Sequence, residues 1–367
     1  MYRIRHNQKL PVYLATLGFS LLTATAASAQ TETFGASGKT VMVSANPAAV
    51  KRYSDSDLAN AKSKMPMLTD PSQVPGLSER IRQGYGSLNH PFTTKGAYSQ
   101  LANGIPVITS PWKSTGKLIM TFPNGTFVCT ASVVKKGILV TAAHCVHNYG
   151  QGASGWASSI SFQPARHGSN TKFGTWDAIT WYIPTVYYNG TDTCTVSGVV
   201  CENDVAVIVM EKGPAPFSAK EIGQLVGRYG IYGNGAGFTS FLGKSAAQIT
   251  QLGYPVAFDS GLKMIRTDSL GYMETPNNVI LGSDQTGGSS GGPWILNFGR
   301  DPISTSSTPN YNVSNQVVAT TSWGYVSSTL KVQGASYFAN NNAFPAPGST
   351  NIKTLLDDAC AAYPSKC

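Results

Sequence analysis

Three short segments carry residue types suited to nucleophilic chemistry at a carbonyl. His144 ends the run Thr141-Ala-Ala-His144 and is followed by Cys145. An imidazole, with an ordinary pKa of about 6.5, can take and return a proton near neutrality. The small residues before it let the backbone pack closely while the ring faces a cleft. Asp204 stands in Glu202-Asn-Asp204-Val-Ala-Val-Ile-Val209, where an apolar strand begins. A partly buried carboxylate there would accept the second ring N–H of His144 and fix the tautomer. Ser290 lies in Gly287-Gly-Ser-Ser290-Gly-Gly-Pro293. Glycines on both sides allow a sharp turn and the close approach of another backbone. In such a turn the N–H groups of Gly288 and Ser290 can converge on an oxyanion, each donor typically worth about 10²–10³ in rate. Taken singly, these are a strand-end Asp and a Gly/Ser loop. Taken together they are a hydroxyl nucleophile, its base and the base's orienting carboxylate.

Short strands must position these groups. Lys117–Phe122, Phe127–Val134 and Ile138–Thr141 read as strands, with Asn124-Gly125 a hairpin signal and Lys135-Lys-Gly137 a second turn. Similar runs recur at 175–183, Val205–Met210, Gln248–Tyr254, Lys263–Thr267, Asn278–Leu281, Trp294–Leu296 and Gln316–Ser322. Many short strands with no alternating helices predict an all-β sandwich or barrels and exclude a parallel α/β sheet. Near the end, Ser349 or Thr350 can cap a helix whose apolar face is Ile352, Leu355 and Leu356. Six cysteines allow 15 connectivities. Proximity suggests Cys129 with Cys145, Cys194 with Cys201, and Cys360 with Cys367. No CxxC occurs and histidines are few, so disulfides in an oxidising compartment are expected, with no metal site and no organic cofactor.

The N-terminus reads as an export signal over residues 1–29. Arg3, Arg5 and Lys9 precede the apolar run Val12–Leu22, and Ala27-Ser-Ala29 supplies a small-residue cleavage pattern. The expected location is therefore extracellular or periplasmic, with no membrane attachment once the signal is removed. Residues 30–105 contain no cysteine and scattered Pro, Ser, Lys and Asp, and are expected to be a propeptide. The net charge of +9 is spread along the chain without a Lys/Arg run, which excludes a nucleic-acid groove.

TAAHC, NDVAVIV and GSSGGP, in that order, resemble the His, Asp and Ser boxes of the chymotrypsin/trypsin family. The resemblance spans roughly residues 110–367 and implies two antiparallel six-stranded β-barrels with a C-terminal helix. The barrels would be 106–215, carrying His144 and Asp204, and 216–367, carrying Ser290 and the specificity pocket. It further implies a secreted serine endopeptidase acting as a monomer on polypeptide substrates, with His144, Asp204 and Ser290 as its triad. Ser322-Trp323-Gly324 resembles the strand that binds substrate backbone beside that pocket. Asp284, six residues before Ser290, matches the pocket-floor acid that selects Lys or Arg, and Gly324 and Gly334 would leave the pocket open. Two departures stand out. Ser289 replaces the Asp that pairs with a new N-terminal amine in trypsin-like zymogens, and Thr286 occupies one of the absent pocket cysteines. The long extension and the GSSGGP form resemble secreted bacterial members, including the glutamyl-endopeptidase branch, although Thr320-Thr-Ser322 lacks that branch's histidine.

Gly288-Ser-Ser290-Gly-Gly292 also fits the G-x-S-x-G elbow of α/β-hydrolases, but those place the catalytic His after the Ser. Here no histidine follows Ser290. His147 is expected at the surface after the His144 turn, His167 lies in a polar loop, and neither Asp177 nor Asp192 opens an apolar strand as Asp204 does. The competing functional readings are an inactive protease-like binding protein and a structural or adhesive secreted protein.

Overall fold

The computed structural model describes residues 30–69, 90–97, 107–241, 243–275, 277–300 and 313–367. The export-signal segment lies outside the described residues. Two closed six-stranded antiparallel barrels dominate. In the first, strands Thr115–Phe122, Gly125–Val133, Ile138–Thr141, Ala206–Met210, Trp176–Pro184 and Ser159–Pro164 follow one another around the wall, and the last pairs back with the first. In the second, the circuit is Lys244–Gly253, Pro293–Leu296, Gln316–Tyr325, Val332–Tyr337, Asn278–Gly282 and Ile265–Thr275, closed by the pairing of 265–275 with 244–253. Closure removes the exposed edges that would otherwise template aggregation.

Local sequence explains the wall of the first barrel. Phe122 pairs with Gly125 across Pro123-Asn124, and Gly125 adopts φ +135°, a conformation that glycine tolerates. Ile138–Thr141 and Ala206–Met210 are buried along their whole length, as unbroken apolar runs require. The twelve-residue helix Asn351–Ala362 starts where Thr350 Oγ1 accepts from the Lys353 N–H. It buries Ile352, Leu355 and Ala359 in the core shared with the first barrel, so the chain's last helix braces its first domain. All three proximity-paired disulfides are present: Cys129–Cys145, Cys194–Cys201 and Cys360–Cys367.

The described part of 30–105 is not a featureless extension. Thr40–Ser44 adds to strand 176–184, with Val41 and Val43 in the core. Ser37 Oγ and Thr40 Oγ1 both donate to Asp358 on the C-terminal helix. Arg52 reaches Asp177, and Asp55 meets the buried Arg166 guanidinium. Leu58, in helix Asp55–Ala59, packs on Ile119 and Val128. Phe92–Gly96 pairs with strand 265–275 of the second barrel. Residues 62–63 and 67–68 also pair, each with a different barrel.

Candidate active site

Strand register brings His144 and Asp204 together. Thr141 and Ala206 are paired neighbours in the first barrel. His144, three residues past Thr141, and Asp204, two before Ala206, therefore emerge at the same end. His144 sits in the short helix Ala143–Val146, tied back to strand 125–133 by Cys129–Cys145. Its Nδ1 lies 2.7 Å from Asp204 Oδ2, and its backbone N–H donates to Asp204 Oδ1 at 2.8 Å. Both side chains are at least 95 % buried. Two hydrogen bonds from one residue to both carboxylate oxygens fix the imidazole's tilt and assign its proton to Nδ1.

The Ser290 turn is clamped to both barrels. Thr130 N–H donates to Ser290 O at 2.8 Å, and Gly291 N–H donates to Thr321 O at 2.7 Å. Thr130 Oγ1 donates to Gly288 O at 2.8 Å. Glycine is required here by space as well as by angle. Gly291 has φ +74°, and a Cβ on it would stand 1.9 Å from Thr141 Oγ1. Gly288 has φ +97°, and its Cβ would stand 2.5 Å from Tyr254 O. Among the described residues, the Gly288 and Ser290 N–H groups donate no hydrogen bond, and buried Ser290 Oγ has no partner, His144 included. Ser289 Oγ donates to Thr286 O at 2.7 Å and accepts from Gln333 Nε2 at 3.2 Å, so the turn is held from within where an ion pair cannot form.

The remaining sequence-predicted positions divide. Ser322 turns its hydroxyl toward Asp204 and donates to Oδ2, while its strand runs alongside the cleft. Trp323 is fully buried, and the indole N–H donates to Asn278 Oδ1. Gly334 does not open the pocket: the space its missing side chain leaves is filled by the Trp323 ring, 1.9 Å from where a Cβ would stand. Asp284 and Gly324 line one small cavity with Gln285 and Gln333, and Asp284 Oδ1 is buried without a hydrogen-bond partner.

Sequence reasoning missed three contributors. Gln333 reaches into that cavity, where its Nε2 donates to Gln285 O at 2.8 Å and its Oε1 accepts from Gln251 at 2.5 Å. Asp192 accepts from both the N–H and the side-chain amide of Asn203, the residue before Asp204. Burial pushes the Asp192 carboxyl up to about 7. His147 is not at the surface: it is fully buried against Trp156 and Tyr188, its Nε2 donates to Gly152 O, and burial lowers its pKa to about 4. No residue pattern marks these partners, because each contact is made by the folding of loops and strands and not within one element. Two groupings of possible metal ligands occur among the described residues, Cys129/His144/Cys145 and Asp192/Cys194/Cys201. Both spend their cysteines in disulfides, which leaves no thiolate to bind a metal.

The chain is similar to several known proteins. A thermostable serine protease, AL20, from an extremophilic microorganism is similar in fold, with TM-score 0.50 and 22 % identity over 68 % of this chain and 96 % of that one. The protease Anisep from Arthrobacter nicotinovorans gives TM-score 0.47 and 24 % identity over 64 % and 96 %. An "Extracellular metalloprotease" of Bacillus subtilis is 36 % identical over 74 residues, 20 % of this chain and 23 % of that relative's length. The trypsin family model matches residues 110–343, most of both barrels with all three boxes inside it. The chain belongs to the trypsin family.

Proposed function

We propose that this protein is a secreted serine endopeptidase that hydrolyses polypeptides through a Ser290 acyl-enzyme. The observation that carries the reading is the buried His144–Asp204 pair together with a glycine-flanked Ser290 turn, closed against Thr141 and Ala142 just before His144, whose Gly288 and Ser290 N–H groups are uncommitted. In the reaction, Ser290 Oγ attacks the scissile carbonyl while His144 Nε2 takes its proton. The oxyanion is received by the N–H groups of Gly288 and Ser290. His144 then protonates the leaving amine, and water repeats the sequence to release the acid. Asp204, bonded to both the ring and the backbone of His144, orients the imidazole and stabilises the imidazolium. No step calls on a metal or an organic cofactor.

Asp284, half-buried with a buried, unpartnered Oδ1 in the cavity beside Gly324, supports a preference for Lys or Arg at the acyl side of the cut bond. Residues 1–29 act as the export signal and 30–105 as a propeptide, the mature enzyme working as a monomer outside the cytoplasm. The family, and the extracellular protease matched over 74 residues, support export.

The test is a casein or peptide-library digest by protein made with and without Ser290→Ala. Loss of the nucleophile should lower kcat by about 10⁶. Equal hydrolysis by both proteins would reject Ser290. No hydrolysis by fully processed wild type would favour a protease-like binding protein instead.

A further inference from the structure

We propose that residues Lys62–Leu68 form an inhibitory strap that crosses the catalytic cleft backwards, with Met65 seated in the specificity pocket. The proposal rests on the serine-endopeptidase reading of the cleft.

Both ends of the strap are fixed by pairing, and both pairings are parallel. Lys62 and Ser63 pair with Phe127 and Val128 of the first barrel. Met67 and Leu68 pair with Gly324 and Tyr325 of the second. Gly324 N–H donates to Pro66 O at 3.1 Å, and Val326 N–H donates to Leu68 O at 2.9 Å. The residues between must span the gap between the barrels, past the Ser290 turn. A Cβ on Gly287 would lie 2.1 Å from Ser63 Oγ, so the strap rests directly on that turn.

Met65 is 8 % exposed, and its Sδ accepts from Gln333 Nε2 at 3.5 Å. It lines the same cavity as Asp284, Gln285 and Gly324, and about 70 Å³ of that cavity remains free. Lys64 turns the other way. Its Nζ sits 3.6 Å from the Phe122 ring centroid and donates to the Asn148 side chain, on the His144 side of the cleft. Upstream, the Asp55–Arg166 pair and buried Leu58 anchor the strap to the first barrel.

Direction is what makes this segment an inhibitor and not a substrate. A cleavable chain must lay its acyl half along 322–325, beside the pocket, and its leaving amine toward His144 and strand 125–133. Such a chain runs from Tyr325 toward Phe127. The strap runs from Phe127 toward Tyr325. Its pocket residue, Met65, is followed by Pro66 on the side away from His144, so the departing nitrogen is out of reach of the proton it needs. Tethering supplies the strap at high effective concentration without any need for tight contacts.

The experiment uses the full chain and two readouts, hydrolysis of a short peptide amide and phosphonylation of Ser290 by a fluorophosphonate. Met65→Asp sets a carboxylate against Asp284, and Met67→Asp sets one at the mouth of the same cavity, on a side chain 37 % exposed, where folding is not at stake. Both variants should react at least about tenfold faster than wild type. Reaction at the same rate in all three chains would overturn the strap and leave Ser290 as nucleophile. A wholly unreactive set would overturn the enzyme reading and the strap with it. Mass spectrometry of wild type after long incubation should find the bonds from 62 to 68 intact. A cut there that is absent from Ser290→Ala would overturn the reversed polarity.

Discussion

Ser322 donates its hydroxyl to Asp204 Oδ2, the same oxygen that faces His144 Nδ1. The carboxylate is thus held from both barrels, by the His144 turn on one side and the 316–325 strand on the other. Ser322→Ala removes one bond to a charged acceptor while His144 keeps its two, and should lower kcat roughly tenfold with KM little changed. Asp204→Asn should be far more damaging, on the order of 10⁴, because the amide permits the wrong tautomer. Steady-state kinetics of the two variants check the ranking. Equal losses would mean that Ser322 does more than orient the carboxylate.

His144→Ala should lower kcat by about 10⁶, as Ser290→Ala does, and the double variant should lose little more, because base and nucleophile act as one unit. Losses that multiply in the double variant would separate His144 from the nucleophile.

Two buried groups beside the site push stability in opposite directions as pH changes. His147 titrates at about 4 in the fold and near 6.5 when unfolded, so the unfolded chain binds more protons between these values and stability rises with pH. Asp192 titrates at about 7 in the fold and near 3.8 when unfolded, so the folded chain binds more protons and stability falls as pH rises. Each slope is at most about 1.4 kcal/mol per pH unit, and in wild type they offset. Asp192→Asn should expose the His147 slope, with Tm climbing from pH 4 to 6.5. His147→Gln should expose the Asp192 slope, with Tm declining from pH 4 to 7. Thermal melts across that range decide it, and variants whose Tm moves in the same sense would contradict the assignment.

Asp284→Ser should lose roughly 10–100-fold in kcat/KM on Lys and Arg substrates and little on others, the worth of one charge-assisted bond. Gln333→Gly should widen the pocket and raise turnover after bulky side chains. Cleavage-site profiling reads both, and an unchanged profile for Asp284→Ser would retire its role.

Gly291→Ala should abolish soluble, active protein, because its Cβ would stand 1.9 Å from Thr141 Oγ1 and 2.5 Å from Thr130 O at the seam between barrels. Gly348→Ala is the control. It has nearly the same φ, +71°, with nothing within 4 Å, and should cost only about 1 kcal/mol. Equal destabilisation would show that backbone angle, not the seam, sets the requirement at Gly291.

The features legible in the sequence were those whose reasons lie within a few residues. Ile138–Thr141 and Ala206–Met210 announce themselves as apolar runs, and His144, Asp204 and Ser290 by their flanking residues. Ser159–Pro164 was missed because its Ser159, Ser161 and Gln163 look solvent-facing. They are buried, satisfied by Thr121 and Asp177 from neighbouring strands and by Thr175 just before one. Val332–Tyr337 was missed because Gly334 reads as a strand breaker, whereas its bareness admits the indole of Trp323, eleven residues earlier. His147 reads as exposed because the rings that enclose it, Trp156 and Tyr188, belong to a separate turn and a separate helix that only the fold brings to it. Residues 30–69 carry little pattern of their own because, apart from the pairing of Glu32–Phe34 with Thr40–Ser44, their partners lie on the two barrels and the last helix.

The bonds from Ser37 and Thr40 to Asp358 join positions more than 300 residues apart. Synthesis delivers the amino end first, so Thr40–Ser44 can lie on strand 176–184 early, whereas its clasp on Asp358 closes only once helix Asn351–Ala362 has been made.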